Sequence, residues 1–214
     1  MLRHYNYIIW DWNGTLFNDV EMCLDIINSL LEKNSYNILS LKRYREIFTF
    51  PIKDYYAAAG VDFSRNPFEI IGKEWADIYE TRKHEADLFS SVENVLRRVK
   101  ELGIKQYILS AYMKKELHEI IEKHRLSGYF EEIYGLNDVY AHSKLELGFA
   151  LVEKLGSGKQ SAVLVGDTLH DFEVSREMGV DCILVASGHQ SRERLETAGI
   201  PVFQSINDLV VHLD

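Results

Sequence analysis

The chain is 214 residues long, and 46% of its residues are hydrophobic and 12% aromatic. A chain of this length and composition can bury a sizeable core, which excludes intrinsic disorder and leaves room for one compact domain with a small appended unit. The formal net charge of −9 is spread along the sequence, and it disfavours attraction to nucleic acid or to an anionic membrane surface.

The sequence has no pattern typical of secreted or membrane proteins. Its two cysteines, Cys23 and Cys182, lie far apart and outside any CxxC or Cys/His cluster, so we predict neither a disulfide framework nor a zinc site. The N-terminus lacks a signal-peptide pattern, and no apolar segment is long enough to span a bilayer. We expect a cytoplasmic monomer or homodimer with no nucleic-acid or membrane partner.

The first predicted element lies in residues 7–17, which read YIIWDWNGTLF. The apolar run stops at Asp11 and passes into an Asn-Gly-Thr turn. A continuous apolar run predicts a strand buried on both faces, and ligands bind at the carboxyl ends of such strands in open α/β sheets. Asp11 is therefore the first candidate for chemistry, whereas Trp10 and Trp12 are predicted to pack on the opposite side of the strand.

Helical patterns then fill residues 17–87 without a recognisable strand. We interpret this stretch as a small all-helical cap inserted after the first strand. Helix starts are indicated by capping residues and by prolines that suit the first turn of a helix. The predicted helices are 20–33, behind a capping box of Asn18 and Glu21, then 40–47, 51–60 and 67–84.

Strand and helix patterns alternate from residue 88 onward. The predicted strands are 106–109, 133–134, 162–165, 182–185 and 201–203, and the predicted helices are 90–103, 114–124, 145–155, 172–178 and 206–213. Such alternation indicates βαβ units with right-handed crossovers. The predicted fold class is α/β, a doubly wound parallel sheet formed by residues 1–16 and 88–214.

Polar residues stand where several of these strands end or the next helix begins. They are Asp11, Ser110, Lys144, Asp167 and Asp171. Taken singly, each aspartate or serine is explained as a helix N-cap, and the lysine as a solvated head group. Because the carboxyl ends of parallel strands meet at one edge of a sheet, however, we expect the set to converge there.

Four segments carry a family resemblance: DWNGT, ILSAY, the segment around Lys144, and GDTLHD. In this order, and with a helical insert after the first, they resemble the four motifs of the haloacid dehalogenase superfamily, in its phosphoglycolate phosphatase-like branch with a helical cap. Residues 187–209 resemble the tail of that branch. The resemblance covers essentially the whole chain and implies a Rossmann-like core.

The resemblance implies covalent phosphoryl transfer. Asp11 corresponds to the nucleophile, which forms an aspartyl-phosphate that water hydrolyses. It also implies Mg²⁺ as the cofactor, because a phosphate dianion would otherwise be repelled by the carboxylate. The implied metal ligands are Asp11, Asp167 and the backbone carbonyl of Asn13, with Asp171 as a further ligand or as a carboxylate beside the ligands.

The resemblance also implies how the phosphoryl group is held. Ser110 and Lys144 resemble the residues that contact phosphoryl oxygens and offset charge on the nucleophile. Backbone N–H groups near Gly14 would add donors. The implied substrate-binding set is Gly14, Thr15, Ser110, Ala111 and Lys144, and the implied catalytic set is Asp11, Asn13, Ser110 and Lys144.

One position departs from the family pattern. Phosphatases of the family carry a second aspartate two residues after the nucleophile, and this chain has Asn13, which cannot carry a proton. General acid and base assistance accelerates a reaction ~10² to 10⁴-fold, or roughly 3 to 5 kcal/mol, so we expect slower turnover of ordinary phosphate esters.

Cleavage of a phosphonate would need a cap lysine, for which Lys33 and Lys53 are available, although both are equally explained as surface charges. The aspartate of the GDT segment weakens a dehalogenase reading.

The leading hypothesis is an Mg²⁺-dependent phosphatase that acts on a small phosphorylated metabolite. The alternatives are a catalytically impaired protein that binds a phosphorylated ligand, and a relative with another leaving group, such as a phosphonatase or phosphomutase. His170 and His189 are interpreted as surface or helix-cap residues. Arg43, Arg45 and Tyr55 could contact the organic part of a substrate, and solvated helix faces explain the arginines equally well.

Overall fold

The computed structural model of the chain describes residues 4–136 and 143–211. The segment that precedes Lys144 in the sequence therefore lies largely outside the described residues. Within them, no helix combines the length and the apolar composition that a membrane span requires.

The strands of the described residues form one six-stranded sheet and one two-stranded ribbon. The sheet is parallel throughout, with the order β5-β4-β1-β6-β7-β8, and the ribbon pairs β2 with β3 in antiparallel fashion. The strands are β1 (Tyr7–Trp10), β2 (Phe17–Asn18), β3 (Asp87–Leu88), β4 (Lys105–Met113), β5 (Glu132–Leu136), β6 (Ala162–Gly166), β7 (Asp181–Val185) and β8 (Val202–Phe203).

The helices account for most of the remaining described residues. They are α1 (Val20–Lys33), α2 (Leu41–Ile47), α3 (Ile52–Ala58), α4 (Phe68–Arg82), α5 (Val92–Glu101), α6 (Lys114–Lys123), α7 (Lys144–Leu155), α8 (Leu169–Met178), α9 (Arg192–Leu195) and α10 (Ile206–Val211). Each predicted helix has a counterpart here, with ends that differ by a few residues.

Strand β1 lies at the centre of the sheet and is buried on both faces. Ile8 and Trp10 pack on one face, in a cluster with apolar residues of α5, α6 and α10. Ile9 packs on the other face, in a cluster with residues of α7, α8 and α9. Because successive side chains of a strand point to opposite faces, the continuous apolar run of β1 serves two cores. The predicted fold class, a doubly wound parallel α/β sheet, is confirmed.

The helices α1 to α4 form a third apolar cluster of their own, with members from Val20 to Tyr79. The ribbon of β2 and β3 stands where the chain enters and leaves this helical unit, an element that the sequence did not indicate. The assignment of residues 17–87 to a cap remains a prediction.

The capping box predicted at Asn18 and Glu21 is wrong. Asp19 occupies the N-cap position of α1, and it makes no side-chain capping hydrogen bond. Its carboxylate instead accepts hydrogen bonds from other parts of the chain, described below, so a tertiary interaction replaces the local cap. The predicted cap at Ser40 is confirmed, since its side chain accepts from the backbone N–H of Arg43 at 3.2 Å.

A seam of hydrogen bonds joins the end of α2 to the loop that follows β7. Arg45 donates through Nε to the carbonyl of Gly188 and through Nη2 to that of Ser187, both at 2.9 Å. In the opposite direction, Gln190 donates to the carbonyl of Phe48 at 2.8 Å. Arg194 donates to the same carbonyl at 2.5 Å and to that of Glu46 at 3.0 Å. These hydrogen bonds join the helical unit to the loop after β7 and to α9.

A buried glutamine generates the first testable prediction. Gln106 accepts a hydrogen bond from the Trp10 indole N–H at 3.0 Å and donates to the Leu96 carbonyl at 2.9 Å. Gln106→Leu leaves both groups without this partner, so we expect the free energy of unfolding to fall by about 2 to 4 kcal/mol in urea titrations. The exposed neighbour Lys105 provides the control, because Lys105→Thr should change stability by less than about 0.5 kcal/mol. Equal effects of the two substitutions would contradict the prediction.

Candidate active site

Three carboxylates and one ammonium group meet at the carboxyl edge of the sheet. Asp11 follows β1 directly, and its backbone N–H donates to the carbonyl of Val165 in the neighbouring strand β6 at 2.9 Å. Asp167 follows β6, Asp171 lies in the first turn of α8, and Lys144 opens α7. All four side chains are buried. The convergence of these residues, expected from strand order alone, is what the structure contains.

Lys144 bridges two of the carboxylates. Its Nζ donates to Oδ1 of Asp11 and, at 2.5 Å, to Oδ1 of Asp171. Local sequence places it, because Ser143 caps α7 with a capping box completed by Glu146, which fixes where the helix begins. The lysine is therefore not the solvated head group that its position on a helix would allow.

Asp171 is held by the start of its own helix. One oxygen, Oδ2, accepts from the backbone N–H of Thr168 at 3.0 Å and from its hydroxyl at 2.7 Å, which completes a capping box. The other oxygen faces Lys144. The same carboxylate thus caps α8 and orients the ammonium group that lies against Asp11.

The turn after β1 brings a hydroxyl and a backbone segment against Asp167. Thr15 Oγ1 lies 3.3 Å from Oδ2 of Asp11 and 3.2 Å from Oδ1 of Asp167. Gly14 has a φ of +74°, and a Cβ at this position would lie 2.3 Å from Oδ2 of Asp167. Only glycine meets both conditions, since a side chain would be strained and would clash. Gly14 and Thr15 therefore set the spacing between the two carboxylates.

Burial and the neighbouring charges shift the pKa values of these three carboxyl groups. Burial raises the pKa of Asp11, with help from Asp171 and Asp167 and against the attraction of Lys144, to about 8. Burial likewise raises the pKa of Asp167 to about 6. Burial acts to raise the pKa of Asp171 as well, but Lys144 and the Thr168 hydrogen bonds outweigh it and hold that pKa below its usual range.

The donor set fits a hard divalent cation. Each of Asp11, Asp167 and Asp171 offers an oxygen, and these three oxygens lie within 4.8 Å of one another. Lys144 balances only one of the three carboxylate charges. A cation with two positive charges would offset the remainder, and oxygen ligands are those that Mg²⁺ prefers. The role of the Asn13 carbonyl as a further ligand remains a prediction.

Asn13 takes part in a closed ring of hydrogen bonds. Its Nδ2 donates to Oδ2 of Asp19 at 2.8 Å and to the hydroxyl of Tyr79 at 2.7 Å, and that hydroxyl donates to the same Asp19 oxygen at 2.9 Å. Because the Asp19 carboxylate can only accept, the amide nitrogen must face it. Burial acts to raise the pKa of Asp19, but His189, Asn13 and Tyr79 outweigh it and lower that pKa.

His189 is buried, and its interpretation as a surface or helix-cap residue is wrong. Its Nε2 lies 3.3 Å from Oδ1 of Asp19, and its Nδ1 lies 2.7 Å from the hydroxyl of Tyr44. Its backbone N–H donates to Oδ2 of Asp167 at 2.7 Å. Although burial opposes its charge, Asp19 and the other carboxylates raise the pKa of its side chain. His170 is partly exposed and lies 3.6 Å from Glu173.

Sequence reasoning missed Asp19 and Tyr79 as members of this neighbourhood. Asp19 offered one weak signal, a carboxylate close to the turn after β1, and Tyr79 offered none beyond an apolar helix position. Both are buried polar side chains whose partners come from distant segments.

The Ser110 side chain is buried but does not follow a completed strand. Strand β4 continues to Met113 with a shift of register after Leu109, and Ser110 Oγ accepts from the backbone N–H of Tyr112 at 3.1 Å. This irregularity lies beside the carboxyl end of β1, because Ile108 pairs with Trp10. Ala111 is exposed in the next position.

The side chains proposed to reach a substrate from the helical unit are engaged elsewhere. Arg45 forms the seam with Ser187 and Gly188, and Arg43 lies 3.6 Å from Glu46. Tyr55 is buried, with ring contacts to other aromatic residues of the unit. The lysines needed for phosphonate chemistry are exposed: Lys33 pairs with Glu74, and Lys53 lies 5.5 Å from the Phe63 ring.

The bridging position of Lys144 generates the second prediction. Lys144→Met leaves buried carboxylates uncompensated, so we expect the free energy of unfolding to fall by about 3 to 5 kcal/mol in the absence of added metal. Lys154→Met, on the same helix, is the matched control, because Lys154 pairs with Glu132 at 2.6 Å in an exposed position and should contribute at most about 1 kcal/mol. Similar losses in the two variants would refute the bridging role.

Several proteins are similar to this chain in sequence or in fold. PpaX from Caldanaerobacter subterraneus subsp. tengcongensis, which carries a provisional pyrophosphatase assignment, is 29% identical over 181 residues, or 83% of this chain and 80% of the relative. A phosphoglycolate phosphatase from Caulobacter vibrioides is 26% identical over 212 residues, or 96% of this chain and 86% of the relative. A haloacid dehalogenase-like family protein from Streptococcus pneumoniae superposes with a TM-score of 0.80 at 16% identity and covers 99% of both chains.

A family model described as haloacid dehalogenase-like hydrolase matches residues 8–185. The match extends from β1 through β7 and includes Asp11, Lys144, Asp167 and Asp171. It confirms both the resemblance and the prediction that the chain is a hydrolase. The protein belongs to the haloacid dehalogenase-like hydrolase family.

Proposed function

We propose that the protein is an Mg²⁺-dependent phosphatase that acts on a small phosphorylated metabolite through an aspartyl-phosphate intermediate. The observation that carries this proposal is the group formed by Asp11, Lys144, Asp167 and Asp171 at the carboxyl edge of the sheet. A carboxylate paired with a cation, beside two further carboxylates suited to a metal ion, is what nucleophilic attack on a phosphate needs.

Asp11 is the proposed nucleophile. Its Oδ1 is bound by Lys144 and its Oδ2 lies near the Thr15 hydroxyl, so the carboxylate is fixed at the end of a rigid central strand. Fixing a nucleophile in this way reduces the entropy lost on reaching the transition state. Lys144 also offsets the negative charge that an approaching phosphate would meet.

Asp11, Asp167 and the Asn13 carbonyl are the proposed ligands of Mg²⁺, with Asp171 as a ligand or as a carboxylate beside them. When bound, the ion would neutralise the phosphate charge and polarise its oxygens. Ser110, Lys144 and the backbone N–H groups around Gly14, Thr15 and Ala111 are proposed to contact the phosphoryl oxygens.

Residues 17–87 are the proposed cap. Their helices contribute Asp19 and Tyr79 next to the turn that follows Asp11, and the residues around that turn are almost fully buried. A covered site excludes water while the phosphoryl group is transferred. The names of the relatives suit a small phosphorylated substrate, and we propose that the protein acts in the cytoplasm as a monomer or homodimer.

Asn13 favours a second candidate function, in which the protein binds a phosphorylated ligand without turning it over. Its amide faces Asp19 and Tyr79, and an amide cannot act as a general acid or a general base. A panel of phosphate compounds, run with and without Mg²⁺, separates the two functions. Slow Mg²⁺-dependent release of phosphate supports the phosphatase, whereas binding without any release supports the second function.

The nucleophile assignment generates the third prediction. Asp11→Ala should lower the rate of phosphate release by a factor on the order of 10⁴ or more, because the covalent route is lost. Folding should persist, since Lys144 retains Asp171 as a partner. Asp25→Ala is the control, because Asp25 is exposed and its carboxylate lies 3.9 Å from the Arg82 guanidinium. Activity that survives in a folded Asp11→Ala protein would sink the assignment.

The metal assignment generates the fourth prediction. Removal of divalent cations with EDTA should abolish phosphate release, and added Mg²⁺ should restore it. Asp167→Asn should raise the Mg²⁺ dissociation constant, measured by calorimetry, by at least about 10-fold, because one charged oxygen ligand becomes neutral. Asp25→Asn should leave that constant unchanged. Full activity of metal-free protein, or unaltered Mg²⁺ affinity of Asp167→Asn, would count against the site.

A further inference from the structure

Resting on the proposed phosphatase function, we infer that this site selects phosphate anhydrides, such as pyrophosphates and acyl phosphates, over alkyl phosphate monoesters. The inference depends on the fate of one proton. It follows from the hydrogen bonds of Asn13 and of the polar groups around it.

The first chemical step defines what is needed. The Oδ of Asp11 forms a bond to phosphorus, and the bond from phosphorus to the leaving oxygen breaks with both electrons going to that oxygen. In the loose transition state of phosphoryl transfer, most of the new charge accumulates on the leaving oxygen. That oxygen must either receive a proton from the protein or depart as a stable anion.

The residue best placed by sequence to assist is Asn13, two positions after Asp11, and its neutral amide is not an acid that can give up a proton. An amide nitrogen carries two hydrogens. The nitrogen donates to Asp19 Oδ2 at 2.8 Å and to the Tyr79 hydroxyl at 2.7 Å, and these two acceptors lie 2.9 Å from each other, on one side of the amide. Asn13 therefore cannot transfer a proton to a leaving oxygen, and its amide nitrogen is directed at Asp19 and Tyr79.

The neighbouring groups are committed as well. The Tyr79 hydroxyl hydrogen goes to Asp19 at 2.9 Å. His189 directs one ring nitrogen at Asp19 and the other at Tyr44. Lys144 donates to Asp11 and Asp171. The third ammonium hydrogen of Lys144 and the hydroxyl hydrogen of Ser110 are those proposed above to contact phosphoryl oxygens. The side chains named here, among the described residues, therefore leave the leaving oxygen without an assigned proton donor.

The nature of the leaving group then decides the rate. A carboxylate or a phosphate leaves as the anion of an acid with a pKa of roughly 4 or 6, whereas an alkoxide resembles hydroxide, whose parent acid, water, has a pKa of about 15.7. Anhydrides therefore need no proton from the protein in this step, and alkyl esters do.

The second step is less affected by the missing proton carrier. Water forms a bond to phosphorus, the bond between phosphorus and Asp11 breaks, and the electrons return to the Asp11 carboxylate. A proton of the water passes to solvent. The aspartyl-phosphate is itself an acyl phosphate with a carboxylate leaving group, and in a loose transition state the attacking water carries little charge. The enzyme can thus complete its cycle without a proton carrier at position 13.

The test is the dependence of kcat/KM on the pKa of the leaving group, measured with Mg²⁺ for aryl phosphates of graded phenol acidity, acetyl phosphate, pyrophosphate and alkyl phosphates. This parameter reports the first phosphoryl transfer even when hydrolysis of the intermediate limits kcat. We expect kcat/KM for the aryl series to fall by close to ~10-fold per unit of leaving-group pKa, since nearly a full charge develops on the oxygen. Acetyl phosphate and pyrophosphate should be turned over far faster than any alkyl phosphate.

A charge-conserving exchange adds a second measurement. Asn13→Asp combined with Asp19→Asn keeps an amide opposite a carboxyl group but moves the carboxyl to the residue nearer Asp11. We expect this double variant to raise kcat/KM for alkyl phosphates by ~10² to 10⁴-fold relative to that for anhydrides, and to flatten the aryl series. Asp19→Asn alone is the matched control and should not flatten it.

The outcomes separate the inference from the proposed function. A wild-type aryl series that is flat, or alkyl phosphates cleaved as fast as anhydrides, overturns the inference and leaves the phosphatase intact. Absence of Mg²⁺-dependent turnover across the whole panel overturns the phosphatase and, with it, the inference. If the double variant does not fold, the slope measured for the wild type decides alone.

Discussion

The buried ammonium group of Lys144 offsets the negative charge that gathers at the carboxyl edge of the sheet. Lys144 lies between Asp11 and Asp171, and it is the cation that the described residues pair with these two buried carboxylates. Four elements position these side chains. Asp11 follows β1, Asp167 follows β6, and Lys144 lies at the start of α7. The capping box of α8 holds Asp171. One lysine cannot balance three carboxylates. Burial, with a smaller contribution from Asp171 and Asp167, raises the pKa of Asp11 to about 8. The same imbalance makes the site attractive to a divalent cation.

A second buried carboxylate organises the other side of the turn. Asp19 accepts from Asn13, Tyr79 and the backbone N–H of Gly14, and it faces His189. These partners come from the turn after β1, from the helical unit and from the loop after β7. Breaking any one contact leaves buried polar groups unsatisfied, so the ring resists rearrangement. In this structure Asn13 is thus a donor that ties the helical unit to the turn after β1, a role that an ionised aspartate opposite Asp19 could not take.

The sequence predicted what depends on local pattern and topology. Periodicity placed the strands, and parallel strand order then required Asp11 and Asp167 to meet, with Lys144 at a helix start nearby. It did not predict the environment of His189 or Asp19, since their partners lie far along the chain and neither residue belongs to a periodic pattern. The prediction of a capping box at Asn18 was wrong for a related reason. Local capping rules take no account of a hydrogen bond from a tyrosine 60 residues away to the carboxylate at position 19. Ser110 was placed at the right strand, but the register shift that surrounds it has no sequence signature.

The seam between α2 and the loop after β7 has a consequence for how this architecture can diverge. Several of its acceptors are main-chain carbonyls, including those of Phe48, Glu46 and Gly188. A carbonyl is supplied by any residue at the position, so the seam constrains the path of the backbone and a few donors rather than the identity of the side chains it joins. The side chains on the rest of the helical unit's surface can therefore change in sequence while its docking against the sheet is preserved. The composition of that surface and the attachment of the unit are, in this molecule, separately variable properties.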